Sequence, residues 1–170
     1  GRIVAFGMLG ILLPFWSYNV FGNIEKGHKI FMGDTGSLTL GYLVSFLLIY
    51  MASNSGFSFP REMLIIGLST MAVPMFDIVR VVMARIRNRR NPFLPDKNHI
   101  HHKLLRTGIG SRWVMLILVL VSLSIVLVTK WCVDERIDTT WIFFIDLGVW
   151  LVFDYTVNYF IIRNHRLRYE

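Results

Sequence analysis

Residues Trp113–Thr129 read WVMLILVLVSLSIVLVT, an uncharged run interrupted only by small polar side chains. The run is apolar on every side of a helix, whereas a strand of a membrane barrel alternates apolar and polar positions over about ten residues. The hydrocarbon core of a bilayer is about 30 Å thick, and roughly 20 apolar residues in a helix cross it. The stretch therefore predicts a transmembrane α-helix.

Four further apolar stretches approach this length. The five predicted spans are Ile3–Phe21, Gly36–Ser53, Glu62–Val82, Trp113–Thr129 and Trp141–Ile162. The chain of 170 residues is 54% hydrophobic and 17% charged, with mean hydropathy +0.53, whereas a soluble domain carries about a quarter charged residues. The sequence thus predicts an all-α, polytopic transmembrane helical bundle of about five spans. Because the chain has a single cysteine, a disulfide within it is excluded.

The polar loops between these spans differ in charge. The loop Arg85–Arg112 holds eight Lys and Arg residues against one acid, Asp96, whereas Lys130–Thr140 holds three acids and two bases. The positive-inside rule then places the loops Gly22–Thr35 and Arg85–Arg112, together with the C-terminus, in the cytoplasm. These loops explain the net charge of +7, so we expect no nucleic-acid partner.

The first polar cluster, Ile30–Leu38 (IFMGDTGSL), stands where a cytoplasmic loop enters the second span. Its two glycines permit a tight turn, and either of two hydroxyl residues can cap the helix that follows. The free N–H groups at such a helix start attract phosphate. Asp34 favours an anion there only if a cation such as Mg²⁺ bridges the two; the alternative is a helix cap without a ligand. The residues concerned are Gly33, Asp34, Thr35, Gly36 and Ser37.

The second cluster, Pro92–Lys103 (PFLPDKNHIHHK), contains three histidines within four residues, between two lysines. If this segment is helical, His99 and His102 share a face and His101 points away. The surrounding positive charge favours binding of a phosphorylated substrate. A zinc site and a solvated loop without a role are the alternatives that stay open.

A short helix is expected over the histidines. It would run over His99–Arg106, with Asp96 or Asn98 as its N-cap and Gly108 at its end. The turn before it, Asn91–Asp96, is predicted from the two prolines that break the helix leaving the third span.

The third feature is Asp77, in the sequence Pro-Met-Phe-Asp inside the third apolar span. An ionisable residue within a span is a functional hypothesis by default. Arg80, three residues later, lies on the same helical face and can pair with it. A structural ion pair and a catalytic role are therefore both open for Asp77.

Together the clusters resemble the polyprenyl-phosphate N-acetylhexosamine-1-phosphate transferases, which form glycosyltransferase family 4. The matching stretches are Ile30–Gly41 (IFMGDTGSLTLG), Pro74–Asp77 (PMFD) and Pro92–His102 (PFLPDKNHIHH), in the family's order. The sequence HIHH resembles the motif of the undecaprenyl-phosphate GlcNAc-1-phosphate transferase branch more than that of the muramoyl-pentapeptide branch. The resemblance implies that the chain is the C-terminal half of one transmembrane transferase domain with ten or eleven spans.

The resemblance also implies a reaction. Undecaprenyl phosphate attacks a UDP-N-acetylhexosamine, giving undecaprenyl-diphospho-sugar and UMP, as the first membrane step of cell-wall or surface-polysaccharide synthesis. Mg²⁺ is the expected cofactor, with Mn²⁺ as a substitute, and the expected location is the bacterial inner membrane with the active site on the cytoplasmic side. By position, Asp34 becomes the metal ligand and a catalytic residue. The histidines His99, His101 and His102 become catalytic contacts of the donor, and the substrate-binding residues are Gly33, Thr35, Gly36, Ser37, Lys97, Asn98 and Asp77.

The family's aspartate-rich motif does not occur in these 170 residues, so we expect this chain alone to be inactive. A homodimer is one open possibility for assembly. Within the family, a phospho-MurNAc-pentapeptide transferase is the alternative. Outside it, a membrane transporter would explain Asp77 and a discontinuous helix near Pro74, and a scaffold would bind anionic lipid through Arg85–Arg90.

Overall fold

The computed structural model describes residues 2–22, 32–54, 60–92 and 99–167, and all the regular structure in these ranges is α-helical. The helices are α1 (Arg2–Phe21), α2 (Gly33–Asn54), α3 (Pro60–Ser69), α4 (Ala72–Arg87), α5 (Ile100–Arg106), α6 (Ser111–Asp134) and α7 (Thr139–Leu167). The chain divides into two compact units, Gly1–Leu64 and Ile65–Glu170. The predicted all-α membrane fold is confirmed.

Among the described residues, the long helices α1, α6 and α7 are apolar enough to cross a membrane, and the pair α3 and α4 passes the same test together. These helices correspond to four of the five predicted spans. Helix α2 covers the remaining prediction, Gly36–Ser53, but begins earlier, at Gly33. Its first residues, GDTGSLTLG, are mostly small or polar, and the apolar run follows them.

The third predicted span, Glu62–Val82, is wrong as a continuous helix. Its two halves, α3 and α4, meet at an angle of 62° across a break of two residues, Thr70 and Met71. The backbone N–H groups of these residues bond three residues back instead of four, to Gly67 and Leu68. Pro74 explains the break, because it has no N–H for the carbonyl of Thr70 and its ring would clash there; in the first turn of α4 it is tolerated.

The core of the second unit lies among α4, α5, α6 and α7. Its buried members are Ala72, Val73, Ile100, Leu104, Val114, Ile125, Trp150 and Val157. Helix α5 contributes Ile100 and Leu104, which stand four residues apart and so face the same side. Burial of that side fixes the short helix against the bundle, which leaves its histidines and its lysine for polar contacts.

Candidate active site

Asp77 is the buried centre of a polar cluster in the second unit, with 5% of its surface exposed. Its carboxylate accepts a hydrogen bond from the Arg80 guanidinium at 2.6 Å, which confirms the pairing predicted from their spacing. It also accepts from Nδ1 of His99 at 2.9 Å and from the backbone N–H of Ile100 at 3.1 and 3.2 Å. A carboxylate only accepts, so Nδ1 of His99 carries the proton and Nε2 is the nitrogen left for other contacts.

The carboxylate of Asp77 therefore satisfies the first N–H of α5 from a different helix. The N-cap position itself is His99, whose side chain makes no capping bond. The capping residues predicted from sequence, Asp96 and Asn98, lie outside the described residues, and so does Lys97. The predicted end of the helix is confirmed: α5 stops at Arg106, and Gly108 adopts a φ of 88°.

The three histidine rings form a row. The rings of His99 and His101 lie 5.9 Å apart with nearly parallel planes, and those of His101 and His102 lie 4.1 Å apart. The prediction that His101 points away from the other two is wrong. It assumed helical geometry at His99, whereas that residue has an extended ψ of 153° and precedes the helix.

His101 is electrostatically distinct within this row. Partial burial of its ring lowers its pKa below the ordinary 6.5; the neighbouring His102 and His99 lower it further, and Asp77 opposes them. At neutral pH His101 is therefore an uncharged donor and acceptor.

Lys103 connects α5 to the last helix. Its ammonium donates to Asp154 at 2.9 Å and to the side-chain oxygen of Asn158 at 3.0 Å. Asn158 in turn donates to the other oxygen of Asp154 at 3.0 Å, and Nε of Arg80 lies 3.5 Å from Asp154. Sequence reasoning missed Asp154 and Asn158. The signal was present, because an acid inside the predicted span Trp141–Ile162 merited the attention given to Asp77.

A second acid in the same helix, the buried Asp146, was also missed. It accepts from the hydroxyl of Thr129 in α6, at 3.0 and 2.9 Å to its two oxygens. Both residues are buried. This pair joins α6 to α7, and the contacts described for it include none with the histidine row.

The first unit holds Asp34, in the first turn of α2. Gly33 has a φ of 65°, a left-handed conformation that glycine adopts at little cost. A Cβ at Gly36 would come within 2.8 Å of the Met32 side chain. Gly33 thus forms the turn at the helix start, as predicted, whereas Gly36 lies within α2 next to Met32.

The hydroxyl residues of this segment do not cap α2. The helix already begins at Gly33, so Thr35 and Ser37 lie within its first turns. The hydroxyl of Ser37 donates to the carbonyl of Asp34 at 2.9 Å. The capping role predicted for these two residues is wrong, because the left-handed glycine lets the helix start earlier.

A metal site needs several ligand side chains close together. Over the described ranges, no group of three His, Cys, Asp or Glu residues is arranged to hold a metal ion, so the zinc interpretation has no ligand set there. Asp34 is exposed and fits Mg²⁺ in one mode, in which one carboxylate, water and substrate phosphates share the ion. The placement of Asp34 and the histidine row on the same side of the membrane stays a prediction.

Residues 2–52, which include the first motif, match the sequence model of glycosyl transferase family 4. The predicted family resemblance is confirmed. The curated relatives include undecaprenyl-phosphate alpha-N-acetylglucosaminyl 1-phosphate transferases. That of Haemophilus influenzae is 31% identical over 69% of this chain and 32% of its own length. The Escherichia coli K12 protein is 32% identical over 71% of this chain and 32% of its own length. The Pasteurella multocida protein is 30% identical over 67% of this chain and 31% of its own length.

The chain thus spans about a third of the length of the curated relatives that it matches. No solved structure matches it. The second polar cluster, with its histidine row and Asp77, lies beyond the residues that the family model covers.

Proposed function

We propose that the protein transfers a sugar 1-phosphate, GlcNAc-1-phosphate in the first instance, from a UDP-sugar to undecaprenyl phosphate. The relatives carry the acceptor and the sugar in their names. The single observation that supports the proposal most is the histidine row held on a buried carboxylate, His99 against Asp77 at 2.9 Å. The row is a set of imidazoles held in place by tertiary contacts, beside the ion-paired Arg80 and Lys103.

The reaction suits such a site. An oxygen of undecaprenyl phosphate attacks the β-phosphorus of the UDP-sugar, the bond from that phosphorus to the bridging oxygen breaks, and UMP leaves with the electron pair. Positioning and neutralisation of charge supply most of the catalysis in phosphoryl transfer. The proposed role of the histidine row is to hold the UDP-sugar: His101 and His102 would donate a ring N–H to its diphosphate, and Nε2 of His99, whose Nδ1–H is bonded to Asp77, would accept from a sugar hydroxyl. Mg²⁺, held by Asp34, would supply further charge neutralisation.

The residues of the helix start have a separate proposed role. Gly33, Thr35, Gly36 and Ser37 would leave backbone N–H groups of α2 open to a phosphate, which the helix dipole attracts. The site would face the cytoplasm, where the positive-inside rule places both polar loops.

The direct test is release of UMP by the protein as expressed from its own gene, supplied with UDP-GlcNAc, undecaprenyl phosphate and Mg²⁺. We expect Asp34→Asn to abolish turnover and His101→Ala to lower kcat/KM for the UDP-sugar by at least tenfold. Asp134→Asn is the matched control, because this acid is exposed and pairs only locally with Lys130; it should leave turnover unchanged.

Normal turnover of Asp34→Asn would remove Asp34 from the metal site. Turnover with UDP-MurNAc-pentapeptide in place of UDP-GlcNAc would assign the muramoyl branch. Ion-coupled uptake into liposomes without any UDP-sugar dependence would replace the proposal with a transporter.

A further inference from the structure

We infer that Asp154 in α7 is a positioning residue that holds the histidine row in place through Lys103. The inference rests on the proposed function and deepens it, because it assigns part of the donor site to the last helix. Asp154 contacts no histidine in the contacts described above. Its effect would pass through α5.

The histidine-bearing helix is anchored at two points. At its N-terminus, Asp77 of α4 accepts from His99 and from the backbone of Ile100. One turn later, Asp154 and Asn158 of α7 accept from Lys103 at 2.9 and 3.0 Å. His101 and His102 lie in sequence between the two anchors, so a shift at either anchor displaces both rings.

The two anchors are also joined to each other. The guanidinium of Arg80 lies 2.6 Å from Asp77 and, through Nε, 3.5 Å from Asp154. The four charged side chains that make these contacts are mostly buried, with exposed fractions of 7% to 19%. They are Asp77, Arg80, Lys103 and Asp154. Ion pairs in such surroundings are screened by salt less than surface pairs are, so the anchors persist at physiological ionic strength.

Tertiary anchoring matters here because α5 has only seven residues. Isolated helices much shorter than about 12 residues are marginal in water, so the orientation of this one depends on its packing. Ile100 and Leu104 fix its apolar side, and Lys103 is a polar contact that orients the helix toward α7.

The test compares Asp154→Ala with Asp146→Asn in the protein as expressed from its own gene. Asp146 is a matched control: it is a buried acid of the same helix, and its described partner is Thr129 of α6. We expect Asp154→Ala to raise KM for the UDP-sugar at least tenfold and to leave KM for the polyprenyl phosphate within twofold. Asp146→Asn should lower the yield of folded protein and leave both KM values unchanged.

Lys103 provides the conservative variants. Lys103→Met should reproduce the effect of Asp154→Ala, Lys103→Arg should retain most of the wild-type affinity, and the double variant should be no worse than either single one. If Asp154→Ala lowers only the yield of folded protein, as a purely structural residue would, the inference is overturned.

Hydrogen exchange separates this inference from the proposed function. Amides of residues 100–106 should exchange at least tenfold faster in Asp154→Ala than in the wild type, while Asp146→Asn leaves them unchanged. If the wild type releases no UMP from any UDP-sugar, the proposed function fails. The exchange experiment still decides whether Asp154 orders helix α5. Unchanged exchange at residues 100–106 would contradict the positioning role of Asp154, even if the enzyme is active.

Discussion

The charge of a carboxylate inside a membrane-spanning segment must be compensated by partners. Asp77 has partners in its own helix, from Arg80, and at the start of α5, from His99 and Ile100. Its pairing with Arg80 was predictable, because residues three apart on a helix meet. Its bonds to His99 and Ile100 were not, because those residues are more than twenty positions away and reach it through tertiary packing. The pairing of Asp77 with Arg80 could therefore be predicted from sequence, whereas the contacts that join Asp77 to the histidine row could not.

Removal of the Asp77 carboxylate should destabilise the protein. Asp77→Ala takes away an acceptor shared by a guanidinium, an imidazole and a backbone N–H. Breaking a buried ion pair at one partner costs about 3–5 kcal/mol, and we expect a loss of that order in detergent unfolding followed by circular dichroism. Asp134→Ala, in an exposed pair with Lys130, should change the unfolding free energy by less than about 0.5 kcal/mol. Equal losses in the two variants would contradict this role of Asp77.

His101 should make stability depend on pH. Its pKa in the folded protein lies below the ordinary 6.5, so the unfolded chain takes up a proton first as the pH falls through that value. Stability from this group is therefore full above pH 6.5 and is lost below it. The unfolding free energy of His101→Asn should fall less between pH 8 and pH 5 than that of the wild type. Identical pH profiles would show that burial and the neighbouring histidines do not lower the pKa of His101.

At the scale of elements, helix ends proved harder to predict than helices. Each apolar stretch became helical, but the stretch Glu62–Val82 contains Pro74, and the bend it imposes lies at Thr70 and Met71. A proline removes the hydrogen bond four residues before it, so the break stands upstream of the residue that causes it. Helix α6 contains the predicted span Trp113–Thr129 and continues through Asp134, five residues beyond it.

The end of α6 carries a residue in an unfavourable conformation, Arg136, with a φ of 57°. The N–H of Ile137 bonds to Cys132 and that of Arg136 to Val133, a helix ending in which glycine is preferred at the left-handed position. Arg136→Gly should raise the unfolding free energy by about 1 kcal/mol, because a left-handed residue with a Cβ costs about 1–2 kcal/mol and the greater freedom of glycine in the unfolded chain offsets part of it. Arg136→Ala keeps the Cβ and should bring no gain. A similar gain in both variants would locate the effect in the lost charge.

For the whole molecule, the membrane class and helical fold were accessible from composition and run length, but the packing was not. Helix α6 is apolar nearly all round, so no polar face indicates which side enters the core. Its 24 residues are about 36 Å long at 1.5 Å per residue, enough to cross the hydrocarbon core. The basic residue Arg112 stands at its start and the acidic residue Asp134 at its end. The two ends of this one helix therefore carry the basic loop and the more acidic loop.

This asymmetry predicts the orientation of the protein, and with it the side on which the histidine row meets its substrate. Cys132, the only cysteine of the chain, is fully buried, so single cysteines introduced at the exposed positions Arg87 and Glu135 can be labelled over a low background. A membrane-impermeant thiol reagent should label Glu135→Cys in intact spheroplasts and Arg87→Cys only in inside-out vesicles, because basic loops stay in the cytoplasm. The parent chain with Cys132 alone is the control and should stay unlabelled in both preparations. Labelling of Arg87→Cys from outside would put the loop Arg85–Arg112 on the outer face, where a charged nucleotide sugar from the cytoplasm cannot reach it.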